Sequence, residues 1–149
     1  MRRFKMSDMG DVSLVLGMEM SRDREPGTLT ISQENYTQAM VAYGMEGCNL
    51  LSKPGVGPQF SINQPEKQLL DEDGQKKFQG ITRSAMYLAQ TLRYGIMYAA
   101  NQLSRTMSTA SKAHMAAAEH FLRYLSDTAD FTIVNKRGSF KLTAFSDAD

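Results

Sequence analysis

From Ala85 to Met107 the residues Ala85, Leu88, Leu92, Ile96, Ala99, Leu103 and Met107 recur every three or four positions, the spacing of one buried helix face. A stripe of about six turns must be covered by another apolar surface, and the chain supplies one directly downstream. After the polar break Ser108–Ser111, Ala113, Ala116, Ala117, Phe121, Tyr124 and Leu125 form a second stripe, whose small alanines permit close helix–helix approach. A helix pair over residues 81–128 is therefore predicted. Gly95 lies within the first stripe and should cost about 1 kcal/mol relative to Ala if that helix is continuous.

The segments on either side are of another kind. Val12–Met20, VSLVLGMEM, is apolar, partly β-branched and short, and predicts a strand. Arg22-Asp23-Arg24-Glu25-Pro26-Gly27 is a polar turn and Thr28-Leu29-Thr30-Ile31 a second short strand, so the two make a hairpin with a charged tip. Ser32 stands where a helix N-cap belongs, Tyr36, Ala39, Met40 and Tyr43 follow at helical spacing, and Gly44 is a natural left-handed stop. Near the other end, Phe131–Asn135, a turn at Lys136-Arg137-Gly138, and Ser139–Phe145 with Phe140, Leu142 and Ala144 on one face predict a second hairpin.

Between these parts lies a stretch holding Pro54, Pro58 and Pro65, three of the four prolines, with Gly55 and Gly57 among them. The polar run Glu66–Gly74 closes it. Irregular connections longer than roughly 12–15 residues are usually functional or mark a boundary. The organisation expected is a hairpin and helix over 1–48, a connector over 49–80, paired helices over 81–128 and a closing hairpin over 129–149: an α+β chain with a long irregular connector.

Composition excludes several classes. With 149 residues, 42% hydrophobic and 22% charged, the chain is neither disordered nor fibrous. The net charge of +1 excludes a globally basic binder, so a nucleic-acid site has to come from local clustering. Clustering of that kind is present. Residues 83–124 carry Arg83, Arg93, Arg105, Lys112 and Arg123 against the single acid Glu119, a surplus suited to a phosphate backbone or, more plainly, to a solvated helix face. One cysteine, Cys48, allows no internal disulfide and suits an intracellular chain. No run approaches the roughly 18 apolar residues of a membrane span, so no membrane partner is expected.

Most catalytic templates are missing. There is no phosphate-cradling glycine pattern and no nucleophile elbow. His114 and His120 are six apart, so they point in different directions on a helix and read as ordinary surface residues. Nothing near Cys48 would hold it as a thiolate, and the eleven methionines read as core filler. Asp147 and Asp149, two apart on a strand, would project to one face and could share a divalent cation, although paired aspartates are more often simply solubilising.

Several pieces, taken in order, carry a family pattern. These are Phe4–Val12, Leu16-Gly17-Met18-Glu19-Met20, Leu29–Gln33, Tyr87-Leu88-Ala89, Asn101-Gln102-Leu103-Ser104-Arg105, His114, Leu122-Arg123-Tyr124-Leu125 and Phe145-Ser146-Asp147-Ala148-Asp149. Together they resemble the downstream part of the reverse transcriptase in the Pol polyprotein of copia-type LTR retrotransposons, running from thumb and connection elements into the start of RNase H. Arg83 and Gly95 depart from that pattern, which usually has Gly and Asp at those places.

The resemblance implies a fragment of a larger polymerase fold. The family's polymerase aspartates lie upstream in a Tyr-x-Asp-Asp-like hairpin, and this sequence has no Asp-Asp pair. Leu16, Gly17 and Met18 would correspond to the hairpin that holds a primer's terminal backbone, while Arg93, Arg105 and Arg123 would face the duplex from the helices. Asp147 would be the first catalytic and metal-binding carboxylate of RNase H, with Mg²⁺ as the family's cofactor. The expected partners are an RNA/DNA duplex, held weakly and without sequence preference, and the remainder of the polyprotein, in a cytoplasmic particle or the nucleus. On this reading the chain grips nucleic acid but lacks both complete active sites. The alternative is a non-catalytic helical nucleic-acid-binding or protein-interaction module derived from a retroelement.

Overall fold

The computed structural model describes residue 7 and residues 10–45 and 69–138. Among these residues the order is β1 (Leu14–Val15), β2 (Met18–Asp23), β3 (Thr28–Ser32), α1 (Glu34–Gly44), α2 (Glu72–Thr91), a 3-10 turn (Tyr94–Ile96), α3 (Met97–Ser104), α4 (Lys112–Asp127) and β4 (Ile133–Lys136). The mixed α+β class is as expected. The strands form one antiparallel sheet in the order β1-β2-β3-β4.

The core is helical. Phe78, Ile81, Ala85 and Leu88 of α2 meet Ala99, Ala100 and Leu103 of α3 and Ala118, Phe121, Leu122 and Leu125 of α4, with Met40 of α1 closing one side. Fully burying a Leu or Phe side chain contributes about 1.5–3 kcal/mol, so this cluster dominates the fold's stability. No residue of the four strands is fully buried. The sheet is an appendage on a helical body.

Four expectations change here. The connector predicted over 49–80 ends early, because α2 starts at Glu72 and already buries Phe78 completely. Asp71 caps it, its side chain accepting from the Gly74 amide at 2.9 Å, and Glu72 and Asp73 place negative charge in the first turn, where the helix dipole favours it. The long helix predicted through Met107 is broken. Helix α2 stops at Thr91, and the chain turns at Arg93-Tyr94-Gly95 before α3 resumes. Gly95, the weakest helix former of the stretch, lies in this break.

Gly44 is not a left-handed stop. It is the last residue of α1, and a Cβ there would stand 2.1 Å from Leu122 Cδ1. The residue is glycine because α1 and α4 approach closely at that point. The strand predicted over 12–20 is itself a hairpin. Leu16 (φ 51°) and Gly17 (φ 72°) form a two-residue turn of the primed type, whose positive φ values at both central positions match the strand twist.

Ser32 does support the start of α1, its hydroxyl accepting from the Glu34 amide at 3.1 Å, although Gln33 occupies the cap position itself. The expected strand over 131–135 is β4, which pairs with β3 through Ile31↔Ile133 and Leu29↔Asn135. Its predicted return strand over 139–145 lies outside the described residues, as do Cys48 and the prolines of the connector.

Candidate nucleic-acid interface

The β1–β2 turn presents Leu16 to solvent at 77% exposure, the highest of any large apolar side chain among the described residues. The turn is held from behind. The Tyr87 hydroxyl of α2 donates to the Leu16 carbonyl oxygen. The Tyr87 ring packs edge-on to Tyr36 of α1 at 5.1 Å between centroids. A Cβ on Gly17 would lie 3.7 Å from the Tyr36 ring, so the turn rests on that pair. Leu16 and Gly17 are thus an apolar tip fixed to two helices, while Met18 is half-buried at the start of β2.

The helical cations do not act as one surface. Arg93 is buried, 8% exposed. Its guanidinium donates to the Thr128 carbonyl at 2.7 Å and the Thr128 hydroxyl at 2.6 Å, with the Phe131 ring 5.2 Å away and the Tyr124 ring 6.0 Å away. A guanidinium satisfied this way stabilises the end of α4 and has no free face for a phosphate. Arg93, expected to face a duplex, is instead buried against Thr128. Arg105, Arg83 and Lys112 are exposed, and Arg123 is half-buried, with a buried Nε that has no hydrogen-bond partner among the described residues.

Other candidates move as well. His114 is fully buried rather than on the surface. Its Nδ1 accepts from the Ser111 amide at 3.0 Å, while the Ser111 hydroxyl accepts from the His114 amide at 3.4 Å, a reciprocal cap on α4. Asp147 and Asp149 lie outside the described residues. Among the described residues no three His, Cys, Asp or Glu side chains come together as a metal site requires. Asp147, the residue for which the resemblance implies Mg²⁺, is not among them.

Sequence reasoning missed a second basic cluster. At the Arg24–Gly27 turn, an open groove of about 900 Å³ is lined by Arg22, Arg24, Lys136 and Arg137, with Met20 and Leu29 as its apolar part. Asp11 is the one carboxylate among the described residues of that lining. Along the chain the charges of Arg22-Asp23-Arg24-Glu25 cancel. On a strand, neighbouring side chains point to opposite faces, so Arg22 and Asp23 separate. Asp23 is further occupied by the Glu25 amide, from which its carboxylate accepts at 3.1 Å. The backbone bond from the Arg137 amide to the Gly27 carbonyl, 2.9 Å, brings β4's end beside that turn. Strand alternation was a usable signal for Arg22; nothing local pointed to Lys136 and Arg137.

Known proteins resemble the whole chain. It is 34% identical, over 99% of its length, to the retrovirus-related Pol polyprotein from transposon RE2 of Arabidopsis thaliana, and equally to that from transposon RE1. The corresponding polyprotein from transposon TNT 1-94 of Nicotiana tabacum is 26% identical over the same share. The chain spans only about a tenth of the length of these relatives (10–11%). No family model matches, and no solved structure matches.

Proposed function

From homology over nearly its whole length to a segment of the Pol polyproteins of copia-type transposons, we propose that this chain holds a nucleic-acid duplex for a polymerase. The polymerase and RNase H chemistry would be supplied by other parts of the polyprotein. The observation that carries the reading is the Leu16-Gly17 turn. A leucine held at φ 51° on a turn locked from behind by Tyr87 and Tyr36 carries a backbone cost, and with Val12, Leu14 and Val15 it forms a run of exposed apolar side chains, the mark of a contact surface.

The contact at that turn is apolar and uncharged, so affinity comes from cations elsewhere. Among the helical residues Arg105, Arg83 and Lys112 are exposed, which leaves fewer phosphate contacts than the raw count of five suggested. Binding is accordingly weak, indifferent to sequence and sensitive to salt.

Titration of the full chain with a labelled RNA–DNA hybrid at low ionic strength tests this. The expected result is measurable binding that weakens several-fold in Leu16→Asp, with the melting temperature not lowered. A hybrid affinity untouched by Leu16→Asp would overturn the role of the turn. No binding at all would overturn the reading as a whole.

A further inference from the structure

The hairpin turn and the helical cations leave the groove at the opposite end of the sheet without a role. Met18, Met20 and Arg22 alternate onto one face of β2, and their cross-strand partners Ile31, Leu29, Ile133 and Asn135 share it. One sheet face therefore runs from the Leu16-Gly17 turn to Arg22 in the basic groove, while Lys136, in register with Thr28 and Asp23, lies on the other face and borders the groove at the end of the sheet. Arg22, Lys136 and Arg137 are exposed, and none of the three side chains hydrogen-bonds to a described residue. Arg24 pairs with Asp11 at 2.8 Å, both side chains being largely exposed at 69% and 79%, so that pair can exchange for another anion.

We propose that this groove binds the phosphodiester backbone of a nucleic-acid strand, as a second contact on the track that begins at the hairpin turn. The inference rests on the duplex-holding reading and extends it to a site on the sheet. Three of the four cations are arginines, whose planar fork suits phosphate oxygens. Met20 and Leu29 give sugars or bases an apolar floor. Met18 and Arg22 are four residues apart, about 13 Å along a strand, which equals about four nucleotides at 3.4 Å per step. Continuity with the turn, together with an arginine-rich lining beside an apolar floor, favours a nucleic-acid strand over an acidic polypeptide.

The test is fluorescence anisotropy of the full chain with a labelled RNA–DNA hybrid, over a series of salt concentrations. The variant combines Arg22→Gln, Lys136→Gln and Arg137→Gln and leaves the Arg24–Asp11 pair intact. Loss of three duplex contacts should lower the log–log salt slope by about 2–3 and weaken low-salt binding at least several-fold. Far-UV circular dichroism checks folding. If the triple variant does not fold, Arg22→Gln alone should lower the slope by about 0.9.

Wild-type affinity and slope in the folded variant would overturn the groove and leave the hairpin reading standing. Loss of hybrid binding in Leu16→Asp with the groove variant unaffected separates the two in the same way. Displacement of the hybrid by polyglutamate as readily as by oligonucleotide of equal charge would assign the groove to an acidic polypeptide and overturn the proposal. Absence of any wild-type binding would overturn both.

Discussion

Arg93 and Thr128, 35 residues apart in sequence, are joined by two hydrogen bonds: the guanidinium donates to the Thr128 carbonyl and to its hydroxyl. The same hydroxyl donates to the Tyr124 carbonyl at 2.8 Å. The break after α2 is thereby tied to the carboxyl end of α4, where unpaired helix carbonyls favour a cation. Arg93, expected with Arg105 and Arg123 to face a duplex, is a clasp between two helices.

Arg93→Ala should therefore destabilise the chain by about 2–3 kcal/mol, the range for losing hydrogen bonds from a charged donor. Urea unfolding measures it. Hybrid affinity of the folded fraction should stay unchanged. A fall in affinity with stability intact would return Arg93 to the interface.

Gly44→Ala improves local helix propensity by about 1 kcal/mol, yet it should be destabilising overall. The new methyl would meet Leu122, which is itself fully buried and has no room to retreat. Overpacking of this kind costs about 1–3 kcal/mol. Combining it with Leu122→Ala should give less than the sum of the two single losses. Strict additivity would mean that α1 and α4 separate instead of clashing.

Leu16→Asn should stabilise the hairpin by about 0.5–1 kcal/mol, because Asn tolerates positive φ better than Leu and suits a primed turn followed by Gly17. Hybrid binding should weaken at the same time. Opposite signs in the thermal melt and the binding curve would mark a residue kept for contact at the expense of stability. A melt that falls would mean that the Leu16 side chain has packing of its own.

Hydrogen exchange should be slower in α2 and α4 than in β1 and β2, since the strands lie outside the buried core. The hairpin is still not unpartnered: β3 pairs with β4, and Tyr87 holds the turn. Tyr87→Phe removes a hydrogen bond worth about 0.5–1.5 kcal/mol. It should accelerate exchange in residues 14–23 while leaving α4 unchanged. Uniform acceleration would show that the hairpin and the helices open as one unit.

Periodicity alone made the helical core legible. Leu88, Leu103, Phe121 and Leu125 fall on stripes that any helix of that sequence must bury, and the charged turn between β2 and β3 was equally plain. The beginning of α2 was also readable in principle, from Asp71 as a cap followed by two acidic residues and from Phe78 and Ile81, which extend the Ala85–Leu88 stripe backward at the same three- and four-residue spacing. The resemblance to a polymerase segment was likewise carried by the order of short motifs, without any coordinates.

What tertiary structure decided were the partners of residues far apart in the chain. Arg93 became a clasp because Thr128 folds back beside it, and Gly44 became a contact because Leu122 crosses there. Lys136 and Arg137 joined Arg22 only because β4 pairs with β3, and Leu16 became a fixed tip only because Tyr87 lies behind it. Helical and strand periods are local properties that the backbone imposes on its own neighbourhood. A cation's role depends on which carbonyl, ring or solvent it meets, and that is settled only when elements distant in sequence pack together.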